Sequence, residues 1–332
     1  MKMFVTGATG LLGIHLVKRL VELGHEVYAL VRGTSDVSQI KNNGEIQFVK
    51  GDVLDMSSLT GRLEGIDVVI HCAARTNFSS KAERKKYKGF EDNVIGTKNL
   101  AELARNHHVR QFIYISSCSA MGDYYDGERD ETFQCQPDSE YGRSKYEAEK
   151  VLNDYRVNYN FPVTVLRPGL IYGPYDRNGM KKIIEYIDRG RFVIFGDGEN
   201  LKSMVSVHNL VEAIICALGN PKALGEVFIV TDGKNYSLND ISEEIAELLG
   251  CKKKHFFHVP NIICSLIGFA VDLINVIPGI EIPLSTNDIK KLKSSNTYKI
   301  DKLVKTLNYT PKVSLHEGLA EEIAWYKKLK VH

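Results

Sequence analysis

The sequence lacks most of the features that would assign it to a specialised class. Its 43 Lys+Arg against 41 Asp+Glu leave a formal net charge of +2 over 332 residues. No large field of one sign is therefore available to grip nucleic acid. The six cysteines (Cys72, Cys118, Cys135, Cys216, Cys251 and Cys264) contain no Cys-x-x-Cys pair and no regular spacing. That argues against a zinc site and against a disulfide framework, and a reducing compartment fits best. Met1 to Thr6 run straight into an apolar, strand-like stretch without a charged leader or a cleavage pattern, so a cytoplasmic location is expected. No run reaches the roughly 20 apolar residues that a bilayer requires. The nearest, Ile262 to Ile277, is broken by Asp272 and Asn275 and closes at Pro278. It is read as a buried or interface helix, with weak contact to a membrane surface as the alternative because Lys252, Lys253 and Lys254 precede it.

What is present is an ordinary globular balance. The chain is 43% hydrophobic and 25% charged, which places it with globular proteins and allows one large domain or two interleaved ones. Apolar runs of strand length, Met3 to Val5, Val27 to Val31, Ile46 to Val49, Val68 to Ile70, Phe112 to Ile115 and Val163 to Leu166, alternate with segments of helical period. The first helix is expected from Leu11 to Leu23, with Leu12, Leu16, Leu20 and Leu23 on one face and Gly24 as its stop. Such alternation predicts a parallel sheet covered by helices on both faces. After Arg167 the rhythm loosens into a Gly/Pro-rich stretch, a short apolar run at Phe192 to Phe195, and helices near Val211 to Leu218 and Leu238 to Leu249. Val227 to Val230 is expected to return to the main sheet. The predicted division is thus 1–167 with a returning segment near 203–232, and a substrate-binding portion of 168–202 and 233–332.

Thr6-Gly7-Ala8-Thr9-Gly10-Leu11-Leu12-Gly13 follows the first strand directly. Glycines at a strand-to-helix turn let the backbone approach a pyrophosphate, and the helix start offers free N–H groups to the anion. Gly13 would let the helix pack closely on the sheet. The end of the second strand selects the dinucleotide, since a carboxylate there bonds ribose hydroxyls and a cation favours a 2′-phosphate. Here the strand ends Leu30-Val31-Arg32-Gly33. Arg32 favours NADP(H) over NAD(H), with Asp36 as an acid that could swing in instead. Asp52, with Val53 after it, is a candidate acceptor for the adenine amino group or an N-cap for the following helix.

Tyr141 and Lys145 stand one helical turn apart in Tyr141-Gly142-Arg143-Ser144-Lys145. An ammonium beside a phenol favours the ionised phenol, which makes a general acid/base. Ser116-Ser117-Cys118-Ser119 follows the strand Phe112 to Ile115, at the carboxyl edge of a parallel sheet where ligands bind. His71 reads as a core or cofactor-side residue, without a second metal ligand at useful spacing.

Together these motifs, with Gly51-Asp52, His71-Cys72-Ala73-Ala74, Asn93-Val94-x-Gly96-Thr97, Arg167-Pro168-Gly169, Tyr172-Gly173-Pro174 and Gly196-Asp197-Gly198, make the chain resemble the extended short-chain dehydrogenases/reductases over nearly its whole length. That group includes nucleotide-sugar epimerases and dehydratases, 3β-hydroxysteroid dehydrogenases and dihydroflavonol reductases. The resemblance implies an α/β fold: a Rossmann-type doubly wound parallel sheet with a smaller, interleaved, helix-rich C-terminal substrate domain. It implies that Tyr141 exchanges a proton with the substrate oxygen, and that Lys145 bonds the nicotinamide ribose and tunes Tyr141. In that family the catalytic hydroxyl stands five positions before a glycine, and with Gly122 in that place the resemblance implies Ser117 as the hydroxyl on the same oxygen, with Ser116 the next choice. Asn93 matches the family asparagine at the head of a long helix, where helix capping is the plainer role. Ala73, Ala74 and Pro168 would join Gly7, Thr9, Gly10, Leu11, Leu12 and Gly13 around the cofactor.

The branch is read from differences. Dehydratases carry Asp and Glu directly after the catalytic hydroxyl, where this chain has Cys118 and Ser119. Epimerases carry an asparagine where this chain has Leu170, and an arginine after Gly-Asp-Gly where it has Lys202. These departures, Arg32, and the apolar stretch from Ile262 favour the steroid dehydrogenase and flavonol reductase side. The expected activity is NAD(P)-dependent hydride transfer on a secondary alcohol, ketone or aldehyde of a small apolar substrate. A nucleotide-sugar epimerase is the alternative, and a non-catalytic dinucleotide sensor is a third class. A homodimer paired through helices at Glu83 to Asn106 and Tyr141 to Tyr155 is also expected.

Overall fold

A computed structural model describes residues 1–41, 44–76, 90–122, 127–177, 179–251, 256–260, 262–263 and 293–331. The apolar runs become strands β1 (Lys2–Thr6), β2 (Glu26–Val31), β3 (Ile46–Lys50), β4 (Val68–His71), β5 (Gln111–Ile115), β6 (Glu128–Arg129), β7 (Val163–Pro168), β8 (Leu170–Tyr172), β9 (Val193–Phe195), β10 (Leu201–Ser206), β11 (Val227–Val230), β12 (Asn235–Ser237), β13 (Phe257–Val259) and β14 (Thr297–Tyr298). The helices are α1 (Leu11–Glu22), α2 (Met56–Leu59), α3 (Glu91–Asn106), α4 (Glu140–Tyr159), α5 (Met180–Asp188), α6 (Val207–Ala217), α7 (Leu238–Leu249), α8 (Asp301–Leu307) and α9 (Leu315–Val331).

Seven strands form one parallel sheet in the order β11-β7-β5-β4-β1-β2-β3. Both faces are buried, which is why β4, β5 and β7 are apolar almost throughout rather than alternating. One face packs Met3, Val5 and Ile70 against Leu16 and Leu20 of α1 and Leu210 and Ile214 of α6. The other packs Phe4, Val69 and Phe112 against Leu100 and Ala104 of α3 and Ala148 and Leu152 of α4. Each of the fully buried Val, Leu, Ile, Phe and Met side chains among these contributes about 1.5–3 kcal/mol over an exposed one. The chain is therefore an α/β protein with a Rossmann-type doubly wound sheet.

The strand order reverses between β1 and β4, so the crevice at their carboxyl ends is the place where such sheets bind ligands. Past β7 the chain leaves the sheet for a second layer, where β8 and β12 flank β10 and a separate core joins Tyr172, Ile184, Met204, Ile241 and Ile323. Val227 to Val230 returns as the edge strand β11 beside β7. Helix α7 begins with a capping box, Ser237 and Asp240 bonding one another's backbone N–H, and stops at Gly250 in the left-handed region.

Several boundaries differ from expectation. Helix α3 runs from Glu91, with Phe90 outside helical geometry, and the expected start at Glu83 lies outside the described residues. Helix α4 extends from Glu140 to Tyr159 because Ser139 caps it by accepting from Gly142 N–H, so Tyr141 lies in its first turn. Helix α6 starts at Val207, earlier than Val211. Lys252, Lys253, Lys254 and the apolar segment beyond Ile263 lie outside the described residues. Among the described residues no helix is long and apolar enough to cross a membrane.

Candidate active site

A cavity of about 670 Å³ opens at the carboxyl ends of the strands, within the range of small-molecule sites. Gly7, Thr9 and Gly10 of the first turn line it, with Arg32 and Ser35 after β2, Asp52 and Val53 after β3, and His71 to Thr76 after β4. The turn is shaped by its glycines. Gly7 has φ +71°, and a Cβ on it would stand 2.7 Å from the Ala73 nitrogen. A Cβ on Gly13 would stand 2.1 Å from the Gly7 carbonyl oxygen. Helix α1 starts at Gly10 without a side-chain cap, so the N–H groups of Leu11, Leu12 and Gly13 face outward as an anion site. The bare turn, the uncapped helix and the elongated cavity fit a dinucleotide.

Asp52 lies in the cavity wall, its carboxylate accepting from Leu54 N–H at 3.0 Å. The N-cap of α2 is Asp55, so Asp52 is not the helix cap. Asp36 does not swing in, because its carboxylate turns back to accept from Ser38 N–H at 2.9 Å. Ala73 and Ala74 line the cavity as expected. Pro168 does not reach its wall: it is buried at the end of β7 in register with Val230. Leu11, Leu12 and Gly13 lie outside the wall as side chains, with Leu12 and Gly13 packed into the core side of α1.

Next to the cavity, helix α4 sets Tyr141 and Lys145 on one face. Burial pushes the Tyr141 phenol up to about 12, and hydrogen bonding with the Ser117 hydroxyl opposes that. Ser117 Oγ accepts from Ser119 N–H at 3.1 Å, which leaves its own proton free to donate. Lys145 Nζ donates to the Ile115 carbonyl at 2.7 Å and lies 4.8 Å from the Tyr114 ring centroid. Burial lowers the lysine to about 8, with Cys72 and Glu149 pulling it back up. The expected lysine-depressed phenol is thus not found in the protein alone, because the ammonium is itself desolvated and tied to a carbonyl.

Ser116 and Ser117 part company here. Ser116 Oγ donates to Glu149, which also receives the Arg167 guanidinium through Nε at 3.0 Å and Nη2 at 2.6 Å. That buried fork ties the ends of β5 and β7 to α4 and leaves Ser116 no free proton. Asn93 is not a helix cap. It lies inside α3, donates to Arg75 O and Ser144 Oγ, each at 3.0 Å, and accepts from Arg75 N–H at 2.7 Å. It therefore clasps the cavity wall to the helix that carries Lys145. His71, held between Thr6 Oγ1 at 2.7 Å and Thr97 Oγ1 at 3.1 Å, is pushed down to about 3 by burial and stays neutral. Among the described residues no group of His, Cys, Asp and Glu could hold a metal.

Sequence reasoning missed Ser35, Arg75, Thr76 and Arg177 in the wall, and Glu149 behind Lys145. Glu149 had a signal, one further helical turn along the face of Tyr141 and Lys145. Arg177 had none, since it reaches the cavity from the second layer.

Such a sheet and such a Ser-Tyr-Lys arrangement define a dinucleotide-binding protein of the extended short-chain dehydrogenase/reductase type. The chain belongs to the NAD dependent epimerase/dehydratase family, whose model matches residues 3–231. It is 32% identical over 251 residues to UDP-glucose 4-epimerase of Vibrio cholerae, covering 73% of this chain and 74% of that one. UDP-glucose 4-epimerase of Thermotoga maritima, solved with UDP-glucose, superposes with a TM-score of 0.80 at 26% identity, covering 99% and 100% of the two chains. UDP-glucuronic acid 4-epimerase of Bacillus cereus, solved with NAD, gives 0.79 at 26% identity and 99% of both chains. These relatives are epimerases, so they favour the alternative reading of the sequence over the steroid dehydrogenase side.

Proposed function

We propose that the chain is an NAD(P)-dependent sugar 4-epimerase acting on a sugar carried by a diphosphate, with Tyr141 as its acid/base. The observation that carries this reading is the meeting of Tyr141, the Ser117 hydroxyl and Lys145 beside a cavity lined by the glycine turn and the ends of β2 and β3. The names of the relatives supply the substrate class. A bound nicotinamide supplies reversible hydride exchange. Tyr141 takes the proton from the substrate hydroxyl as its carbon is oxidised, and returns it when that carbon is reduced from the other side. Ser117 donates to the same oxygen and holds it against Tyr141. Lys145 adds its charge to that of the bound nicotinamide, and only the two together bring the phenol down from the high value it has in the protein alone. Asn93 and Glu149 hold α4 and the cavity wall in register. Arg32 replaces the acid expected for NAD at the end of β2, and so favours NADP(H). Pairing of two copies through α3 and α4 belongs to the same proposal, since Ile95, Val157 and Tyr159 lie exposed there.

A second reading, one-way reduction of an apolar carbonyl by exchangeable NADPH, is favoured by two observations. Leu170, standing where epimerases have asparagine, is 45% exposed, and Lys202 Nζ is spent on Ser294 O at 2.6 Å. The experiment that separates them is to denature the purified protein, identify the released nucleotide, and assay sugar nucleotides and hydrophobic ketones. Retained dinucleotide and interconversion of 4-epimers without net dinucleotide turnover is the expected result. An empty protein that oxidises NADPH in step with ketone reduction would overturn it.

A further inference from the structure

The adenosine end of the cavity receives a second arginine from outside the sheet. Arg177 lies in its wall with Arg32 and Ser35, although it belongs to the loop between β8 and α5. Its charge also reaches Asp36, on the turn that follows Arg32. The loop is pinned on either side of it. Pro174 O contacts His15 Nε2 at 3.1 Å, which ties the loop to the outer face of α1. Tyr175 adopts φ +74°, a conformation that is strained for a non-glycine residue and persists only where the surroundings over-determine it. Its ring is clamped between His15 at 5.5 Å and Trp325 at 5.8 Å, with Lys18 Nζ 5.6 Å from its centroid. After Arg177, the buried Asp176 carboxylate closes the loop by accepting from Gly179 N–H at 3.0 Å and Lys181 N–H at 3.1 Å.

We propose that Arg177 is the second arm of an anion site that, with Arg32 and the Ser35 hydroxyl, takes the phosphomonoester on the 2′-oxygen of the adenosine ribose. The inference rests on the NADP(H) part of the function proposed above. Ser35 Oγ accepts from Arg32 N–H at 3.0 Å, so its own proton remains to be donated to a phosphate oxygen. A phosphomonoester carries nearly two negative charges at neutral pH. Two guanidinium groups match that charge and offer forked donors to it from two directions. The Arg32 arm is local to β2. The Arg177 arm makes dinucleotide selection depend on the second layer, so the loop after β8 reports on which dinucleotide is bound.

The test uses the full-length protein stripped of nucleotide and two ligands that differ only in the group concerned, adenosine 2′,5′-bisphosphate and 5′-AMP. Binding is measured by calorimetry for wild type, Arg32→Ala, Arg177→Ala and Arg177→Gln, with thermal melts to show that each variant is folded. Wild type is expected to prefer the bisphosphate. Loss of one charge-assisted contact should weaken the bisphosphate about tenfold in both Arg177 variants and leave 5′-AMP within about twofold. Equal weakening of both ligands would move Arg177 to the 5′-phosphate and overturn the assignment. No weakening of either would also overturn it, while the NADP(H) reading stands as long as wild type and Arg32→Ala differ. A wild type that does not prefer the bisphosphate overturns the NADP(H) reading, and the inference falls with it.

Discussion

Two neighbouring hydroxyls show how the chemistry is decided at the residue scale. Ser116 and Ser117 are indistinguishable by type, yet one proton is committed to Glu149 and the other is directed at Tyr141. Tyr141 itself, at about 12, is protonated at neutral pH and becomes a base only as positive charge gathers near it. Tyr141→Phe is therefore expected to keep dinucleotide affinity within about twofold while turnover falls by at least about 100-fold, the usual worth of a positioned acid/base. Dinucleotide titration and steady-state assays on the same preparation check it. Near-wild-type turnover would remove Tyr141 from the proton step. The tyrosine, the lysine and the glycine turn were legible because each is a short-range pattern. The role of Asn93 was not, because its partners Arg75 and Ser144 come together only through the fold.

At the scale of elements, the site depends on how closely α4 approaches the short turn Cys118–Met121. A Cβ on Gly142 would stand 2.2 Å from the Ser119 carbonyl oxygen, which no backbone adjustment of a few tenths of an ångström relieves. Gly142→Ala should push the first turn of α4 outward and carry Tyr141 away from Ser117. The expected outcome is a folded protein that still binds dinucleotide and whose kcat drops by at least about tenfold, since misplacement by about 1 Å can cost a factor of about 100. Unchanged kcat would mean that the turn yields instead. Helix starts were the weakest expectations, and α4 and α6 each begin elsewhere than periodicity predicts. The cap rather than the apolar stripe sets a helix start, and Ser139 bonding Gly142 lengthens α4 by a local contact that periodicity does not register.

Across the whole molecule, the second layer is held together by a buried carboxyl that joins α9 to the loop after β8. Glu322 of α9 is fully buried, accepts from Gly173 N–H at 2.8 Å, and has its other oxygen without a hydrogen-bond partner. Burial, reinforced by Asp176, holds its carboxyl well above the usual range. The folded protein therefore keeps this proton at pH values where the unfolded chain has released it. Stability from this group is complete below about 4.3, the usual glutamate value, and declines as pH rises toward the folded value. Glu322→Gln removes that loss. The variant should melt a few degrees above wild type at pH 8.5 and close to it at pH 4.5, where about 1 kcal/mol corresponds to roughly 2–4 °C in a domain of this size. Parallel melting curves across that range would show that Glu322 is ionised in the fold.

The parallel sheet, the glycine turn and the Tyr141–Lys145 spacing are legible in the sequence alone, because each is a pattern within one turn or one strand–helix unit. Leu16 and Leu20 must face the sheet whatever else happens, and Gly7 and Gly13 admit no side chain at the turn. The commitment of Ser116 to Glu149, the clasp of Asn93, the Glu149–Arg167 fork and the arrival of Arg177 beside Arg32 were decided only by tertiary structure. Each joins groups far apart along the chain, and such pairs meet only once the sheet order and the second layer have set their distance.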